Sequence, residues 1–145
     1  MLPCCAEEGI ALTPYSARAS GCLSGACAQH DDFDGLREQI LGSDMLVFAT
    51  PLYYYDMTAQ LKAMVDHFCS ANPRISGKRL KSSLLAVAWN DDDWTFDALE
   101  APYDTLVRYL NLRDCGRALG GGCRTPGMTR RSGYPGQARA LGRSL

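Results

Sequence analysis

One stretch constrains this chain more than any other: Asp44-Met-Leu-Val-Phe-Ala-Thr-Pro-Leu-Tyr-Tyr-Tyr-Asp-Met-Thr-Ala-Gln-Leu-Lys-Ala-Met-Val-Asp-His-Phe68. Met45 to Ala49 is an unbroken apolar run of strand length with no polar alternation. A strand apolar on both sides belongs in a parallel sheet covered by helices. Thr50-Pro51 is expected to end it, because proline cannot donate to a ladder and holds its predecessor extended. Leu61, Met64, Val65 and Phe68 then follow at i, i+3, i+4, i+7, one apolar stripe of a helix that Thr58 can cap. The loop between them, Pro51-Leu-Tyr-Tyr-Tyr-Asp56, lies at the carboxyl end of a parallel strand, the edge where open α/β sheets bind ligands. Three consecutive tyrosines cannot all turn inward from one turn, so at least one should face that cleft.

The remainder alternates in the same way. Met1 to Gly9 reads as the tail of a helix closed by a glycine, and Ile10 to Tyr15 as a short strand before an irregular loop, Ser16 to Ala28. Asp31-Asp32 can cap a helix with Phe33, Leu36, Ile40 and Leu41 on one face, ending at Gly42. After the central unit, Asn72 to Lys78 reads as a polar connection and Ser83 to Trp89 as a second buried strand, with Asn90-Asp-Asp-Asp93 at its carboxyl end. Phe96, Leu99, Tyr103, Leu106, Val107 and Leu110 mark a helix that Pro102 should either start near Ala101 or kink. Cys115 to Leu119 is a weaker strand suited to a sheet edge, Gly120 to Gly127 a loop, and Gln137 to Leu145 a short terminal helix. Strands alternating with helices give βαβ units and a parallel sheet.

On these residues the chain resembles the flavodoxin-like, NAD(P)H-dependent FMN reductases, a family that includes multimeric flavodoxins and iron-sulfur flavoproteins. Phe48 to Asp66 carries the resemblance most strongly, Asp31–Gly42 and Ser83–Trp89 less so. It implies a three-layer α/β sandwich whose five parallel strands run 2-1-3-4-5, with FMN at the switch point. It also implies that Thr50, Pro51, Leu52, Tyr53, Tyr54 and Tyr55 hold the flavin ring, by backbone donors and tyrosine contacts. Trp89 and Asn90 would close its far edge. The strands read here correspond to the second through fifth. The first, central strand and the Gly-Ser-x-Arg type phosphate loop after it have no counterpart, so that strand is expected to be missing or replaced. Residues 1–145 are read as one flavodoxin-like domain, N-terminally incomplete and derived from a longer chain.

Other motifs carry less. Cys22 and Cys27 fall in a segment similar to the one where iron-sulfur flavoproteins place a four-cysteine cluster, but two thiolates do not make a cluster site. Asp91, Asp92 and Asp93 are adjacent and cannot converge on one ion, so they read as a solvated turn and no metal is expected. Gly120-Gly121-Gly122 lacks the Gly-x-Gly-x-x-Gly spacing and reads as a turn. His30 and His67 are isolated, and no Ser/His/Asp or Cys/His nucleophile can be assembled.

With 145 residues and 46% hydrophobic content, the chain can bury a core of its own. A net charge of −1 argues against nucleic acid or an anionic membrane as partner. Seven cysteines without framework spacing favour reduced thiols in a cytoplasm. The resemblance therefore implies an FMN-dependent NAD(P)H oxidoreductase, acting as a homodimer on a quinone or similar small acceptor. The alternative is a flavodoxin-like remnant that binds no flavin and catalyses nothing. A small electron-transfer flavodoxin fits less well, because such proteins are strongly acidic and this chain is not.

Overall fold

The computed structural model describes residues 33–145, and the readings made above for Met1 to Asp32 lie outside them. In chain order the elements are α1 (Phe33–Gly42), β1 (Met45–Pro51), α2 (Ala59–His67), a 3-10 turn (Phe68–Ala71), α3 (Asn72–Lys78), β2 (Lys81–Val87), α4 (Asp97–Tyr109), β3 (Arg113–Gly120), α5 (Pro126–Arg131) and α6 (Tyr134–Ser144). The described strands form one parallel sheet ordered β1-β2-β3. This is the parallel α/β arrangement expected from the alternation of strands and helices, and it fits the flavodoxin-like fold that the resemblance implies.

The register separates the two faces of the sheet. Phe48 pairs with Leu84 and Thr50 with Ala86, while Leu84 and Ala86 pair with Arg117 and Leu119. This face meets Ile40 of α1, Phe68 and Ala71 of the 3-10 turn, Ile75 of α3 and Leu99 and Tyr103 of α4 in one apolar cluster. The rings of Phe48 and Tyr103 meet edge to face at 5.7 Å. Burying side chains of this size contributes about 1.5–3 kcal/mol each. The opposite face carries Ala49, Leu85, Val87, Ala118 and Gly120, and α6 packs along β3 there. Among the described residues α6 leaves β1 uncovered on this side, so Val47 is 51% exposed. The run Met45–Ala49 was expected to be covered on both faces; the described residues cover one.

Several boundaries differ from the sequence reading for identifiable reasons. β1 runs through Thr50-Pro51 rather than stopping before them. The Leu52 N–H donates to Val87 O at 2.8 Å, so the neighbouring Pro51 nitrogen faces away from β2 and its missing donor costs no bond to that strand. β2 starts at Lys81 and ends at Val87, two residues earlier at each end than expected. Asn72–Lys78 is a helix, not a polar connection: Pro73 sits in its first turn and Ile75 is fully buried. α4 does not start near Ala101 but begins at Asp97 with Pro102 inside it, leaving the Ala98 carbonyl without its i+4 donor. α5 was not anticipated; Thr125 caps it by accepting from the Met128 N–H at 3.2 Å. α6 begins at Tyr134, ahead of the expected Gln137.

β3 contains a bulge. Ser82 pairs with Asp114 and Leu84 with Arg117, so β3 carries one extra residue, and Gly116 absorbs it at φ +119°. A Cβ there would also stand 2.9 Å from Leu141 Cδ1 of α6, so the glycine serves both the backbone and the helix contact.

Beside the bulge lies a polar knot. The Tyr103 hydroxyl donates to Asp114 Oδ1 at 3.3 Å and accepts from the Ser82 hydroxyl, whose Oγ lies 3.1 Å away. Arg117 donates to Glu100, Asp104 and Asp114, and its guanidinium lies 5.0 Å from the Tyr103 ring centre. Burial pushes the Tyr103 phenol up to about 12. Burial alone would raise Asp114, but the Gly116 N–H and Arg117 hold its carboxyl below the ordinary range. The knot ties α4 to β2 and β3.

Candidate functional site

The loop after β1 is a two-residue hairpin turn. The Tyr53 N–H donates to Asp56 O at 3.2 Å and the Asp56 N–H returns to Tyr53 O at 3.3 Å. Tyr54 (φ 49°) and Tyr55 (φ 67°) between them both occupy the left-handed region. That is the type I′ geometry that Asn-Gly adopts readily, and a bulky L-residue costs roughly 1–2 kcal/mol in it. Such strain persists only where the surroundings enforce it, and it concentrates at functional sites.

The surroundings here are specific. Thr50 is buried, its hydroxyl donating to Pro51 O at 2.8 Å and accepting from the Thr58 N–H at 3.0 Å. It thereby ties the end of β1 to the start of α2, where Thr58 Oγ1 accepts from the Leu61 N–H at 3.3 Å. Asp56 Oδ1 accepts from the Met57 N–H at 2.7 Å and closes the turn. The Tyr55 ring lies 4.8 Å from that of Trp94, and its hydroxyl accepts from Asn90 Nδ2 at 3.0 Å. The turn after β1 is therefore fastened to the loop after β2.

Between them opens a cleft of about 240 Å³, lined by Leu52, Tyr54, Tyr55, Ala88, Trp89 and Asn90. Of the eight residues expected to contact a cofactor, Leu52, Tyr54, Tyr55, Trp89 and Asn90 line it. The other three do not: Thr50 is buried and, with Pro51, borders the apolar groove of about 430 Å³ beside α6, and Tyr53 is exposed. Tyr54 is fully exposed and Trp89 is 66% exposed, so both rings are presented to solvent at the mouth. The backbone N–H groups of Tyr54, Tyr55, Trp89 and Asn90 make no hydrogen bond to any described residue.

Sequence reasoning missed three neighbours. Trp94 backs Tyr55. Arg124 lies with its guanidinium 5.9 Å from the Trp89 ring centre and 4.0 Å from Asp91 Oδ1. Gly121 lets the β3 loop close on the β2 loop: a Cβ there would stand 3.1 Å from Asn90 O, while the Gly122 N–H donates to that oxygen at 2.9 Å. The glycine triplet is thus a packing turn. Gly122 faces the Asp91 carboxylate, whose charge opposes a phosphate cradle there. Asp91, Asp92 and Asp93 are exposed, and the described residues contain no group of three or more His, Cys, Asp or Glu side chains able to hold a metal. No described helix is long and apolar enough to cross a membrane.

Comparison with known proteins agrees with this fold. An iron-sulfur flavoprotein from Archaeoglobus fulgidus is 36% identical over 67 residues, covering 44% of this chain and 30% of that protein. The chain therefore spans about three tenths of the length of that curated relative. The Trp repressor binding protein of Bacillus subtilis superposes with a TM-score of 0.62 at 22% identity, over 80% of this chain and 71% of that one. An NADPH-quinone reductase from P. pentosaceus does so with a TM-score of 0.58 at 12% identity, over 90% and 88%. At these identities both likenesses are of fold. The family model of NADPH-dependent FMN reductases matches residues 8–87, more than half of the chain and all of the strand-turn-helix unit, and the protein belongs to that family.

Proposed function

We propose that this chain is an FMN-dependent NAD(P)H oxidoreductase whose cofactor ring lies in the cleft between the turn after β1 and the loop after β2. The observation that carries the reading is the convergence of Leu52, Tyr54, Tyr55, Trp89 and Asn90 on one cleft, with four backbone donors that no described residue occupies. A ring with polar atoms along one edge and flat apolar faces matches such a wall. The volume of about 240 Å³ is below the ~300–1,000 Å³ that encloses a whole small ligand. The described residues thus fit the flavin ring and leave its phosphate to be held elsewhere. When bound, FMN supplies the hydride chemistry, which needs no protein nucleophile. The protein's part is to position. Tyr54 and Tyr55 would hold the ring with their backbone N–H groups, Asn90 fixes the Tyr55 hydroxyl, and Trp89 would offer a flat surface to an incoming ring.

The acceptor proposed is a quinone or another small planar molecule, since an open, aromatic-rimmed cleft favours flat apolar partners. Residues 1–145 are proposed to act as a single flavodoxin-like domain, in a cytoplasm and as a homodimer, the exposed Tyr53, Tyr54, Trp89 and Trp94 offering an aromatic surface for a second copy.

The test is the visible spectrum of the purified chain after incubation with FMN and desalting, followed by anaerobic addition of NADPH. Retained flavin that bleaches with NADPH supports the reading. A colourless protein refutes it.

A further inference from the structure

β1 and β3 end the described sheet, and the two edges are built differently. β3 carries Arg113, Asp114 and Arg117 and a bulge at Gly116, devices that discourage a further strand. β1 carries none of them. Met45-Leu-Val-Phe-Ala-Thr-Pro51 is uncharged, pairs with β2 in unbroken register, and has no neighbour on its other side among the described residues. The ladder fixes what that edge offers. The Leu52 N–H and the Asp44 carbonyl both bond β2, so the even-numbered residues between them turn N–H and C=O toward β2. Met45, Val47 and Ala49 turn theirs outward, and Pro51, with no N–H, ends the row. Their side chains share the face that α6 leaves uncovered, where Val47 is half exposed and Ala49 and Pro51 border the groove of about 430 Å³.

We propose that this edge pairs with the same edge of a second copy, antiparallel about a two-fold axis at Val47. In that register Val47 exchanges both main-chain bonds with the partner's Val47, and Met45 does so with the partner's Ala49, so every outward donor and acceptor of the row is used. The pairing also ends itself. Pro51 falls opposite Ser43 of the other copy, and in each copy the Ser43 N–H is already taken by Ile40 O at 3.2 Å. A second copy suits the edge better than a charged partner does, because the strand is uncharged and the axis sets no like charges against each other: Asp44 falls opposite Thr50. The partner's Met45 then stands beside Ala49 and closes the open side of the groove, which one copy alone leaves incomplete. This surface is separate from the aromatic one at the cleft, and the inference does not rest on flavin binding.

Sedimentation of the full chain under reducing conditions, across a dilution series, tests this directly. The wild type should form a dimer that dissociates on dilution. Val47→Lys and Val47→Glu each set like charges face to face across the axis, and each should weaken the dimer at least about tenfold. Mixing the two variants should restore it as a heterodimer, a gain that loss of fold cannot produce. Hydrogen exchange of the unmodified chain supplies a second readout: the Val47 and Ala49 amides should exchange slowly in the dimer and speed up on dilution. A dimer indifferent to both substitutions would assign the second copy to another surface, such as the aromatic one, and overturn the proposal. A monomer in which those two amides are protected at every concentration would assign the edge to other residues of the same chain, and would overturn it equally. So would a monomer with both amides unprotected.

Discussion

Tyr103 offers a prediction whose size can be worked from the structure. Its ring is buried and packs edge to face on Phe48, and its hydroxyl donates to Asp114 and accepts from Ser82. Burial raises the phenol to about 12 in the folded protein, against roughly 10 in an unfolded chain. Above pH 10 the unfolded state therefore loses its proton first. The contribution is complete below pH 10 and is lost as pH rises toward 12. Two pKa units correspond to about 3 kcal/mol. Tyr103→Phe keeps the ring contact but abolishes this titration. At neutral pH it should cost about 1–2 kcal/mol, because Asp114 loses its phenolic donor and Ser82, also buried, its acceptor. Wild type should thus be the more stable below pH 10, and the two stability curves should cross near about pH 11. Urea unfolding of both proteins at intervals from pH 7 to 12, followed by circular dichroism, reads this out. A constant offset between them across the range would refute the idea that the buried phenol stays protonated.

Other outcomes follow from the same structure. Tyr54→Gly relieves a left-handed residue whose ring touches nothing, and after the entropy cost of glycine it should raise stability by about 0.5–1 kcal/mol while weakening flavin retention; denaturant midpoints and the desalted spectrum check the two halves. Pro102→Ala restores the donor to the Ala98 carbonyl inside α4 and should stabilise by about 1–3 kcal/mol, seen as a higher midpoint at unchanged slope. Asp114 is depressed in the folded state, so its contribution is present above the ordinary carboxylate pKa and is lost as pH falls through the folded value; Asp114→Asn should flatten acid unfolding in that window. Ile75→Ala opens a void in the cluster beneath the sheet and should cost about 2–5 kcal/mol by the same denaturant assay.

How much was legible beforehand divides along the range of the interactions involved. The apolar run Met45–Ala49, the stripe Leu61–Met64–Val65–Phe68 and the Thr58 cap are local patterns, and they fixed a parallel α/β arrangement because each is read from neighbours in the sequence. The helix Asn72–Lys78 was hidden, since one buried residue, Ile75, anchors it against partners distant in sequence. Pro51 looked like a stop, and only the strand pairing reveals that its nitrogen faces away from β2.

The same holds at the candidate site. Composition and spacing located an aromatic loop at the carboxyl end of a strand, but not the left-handed conformation of Tyr54 and Tyr55. That depends on the hydrogen bond from Asn90, 35 residues further on, and on the ring contact with Trp94. Nor could the sequence bring Arg124 over Trp89 or turn Gly121 against Asn90, because both require β2 and β3 to be side by side. The sequence by itself determined which segments become strands and helices and that their ends carry aromatic and polar groups. Tertiary structure alone decided which of those groups face one another, because side chains far apart along the chain meet only after the sheet sets its register.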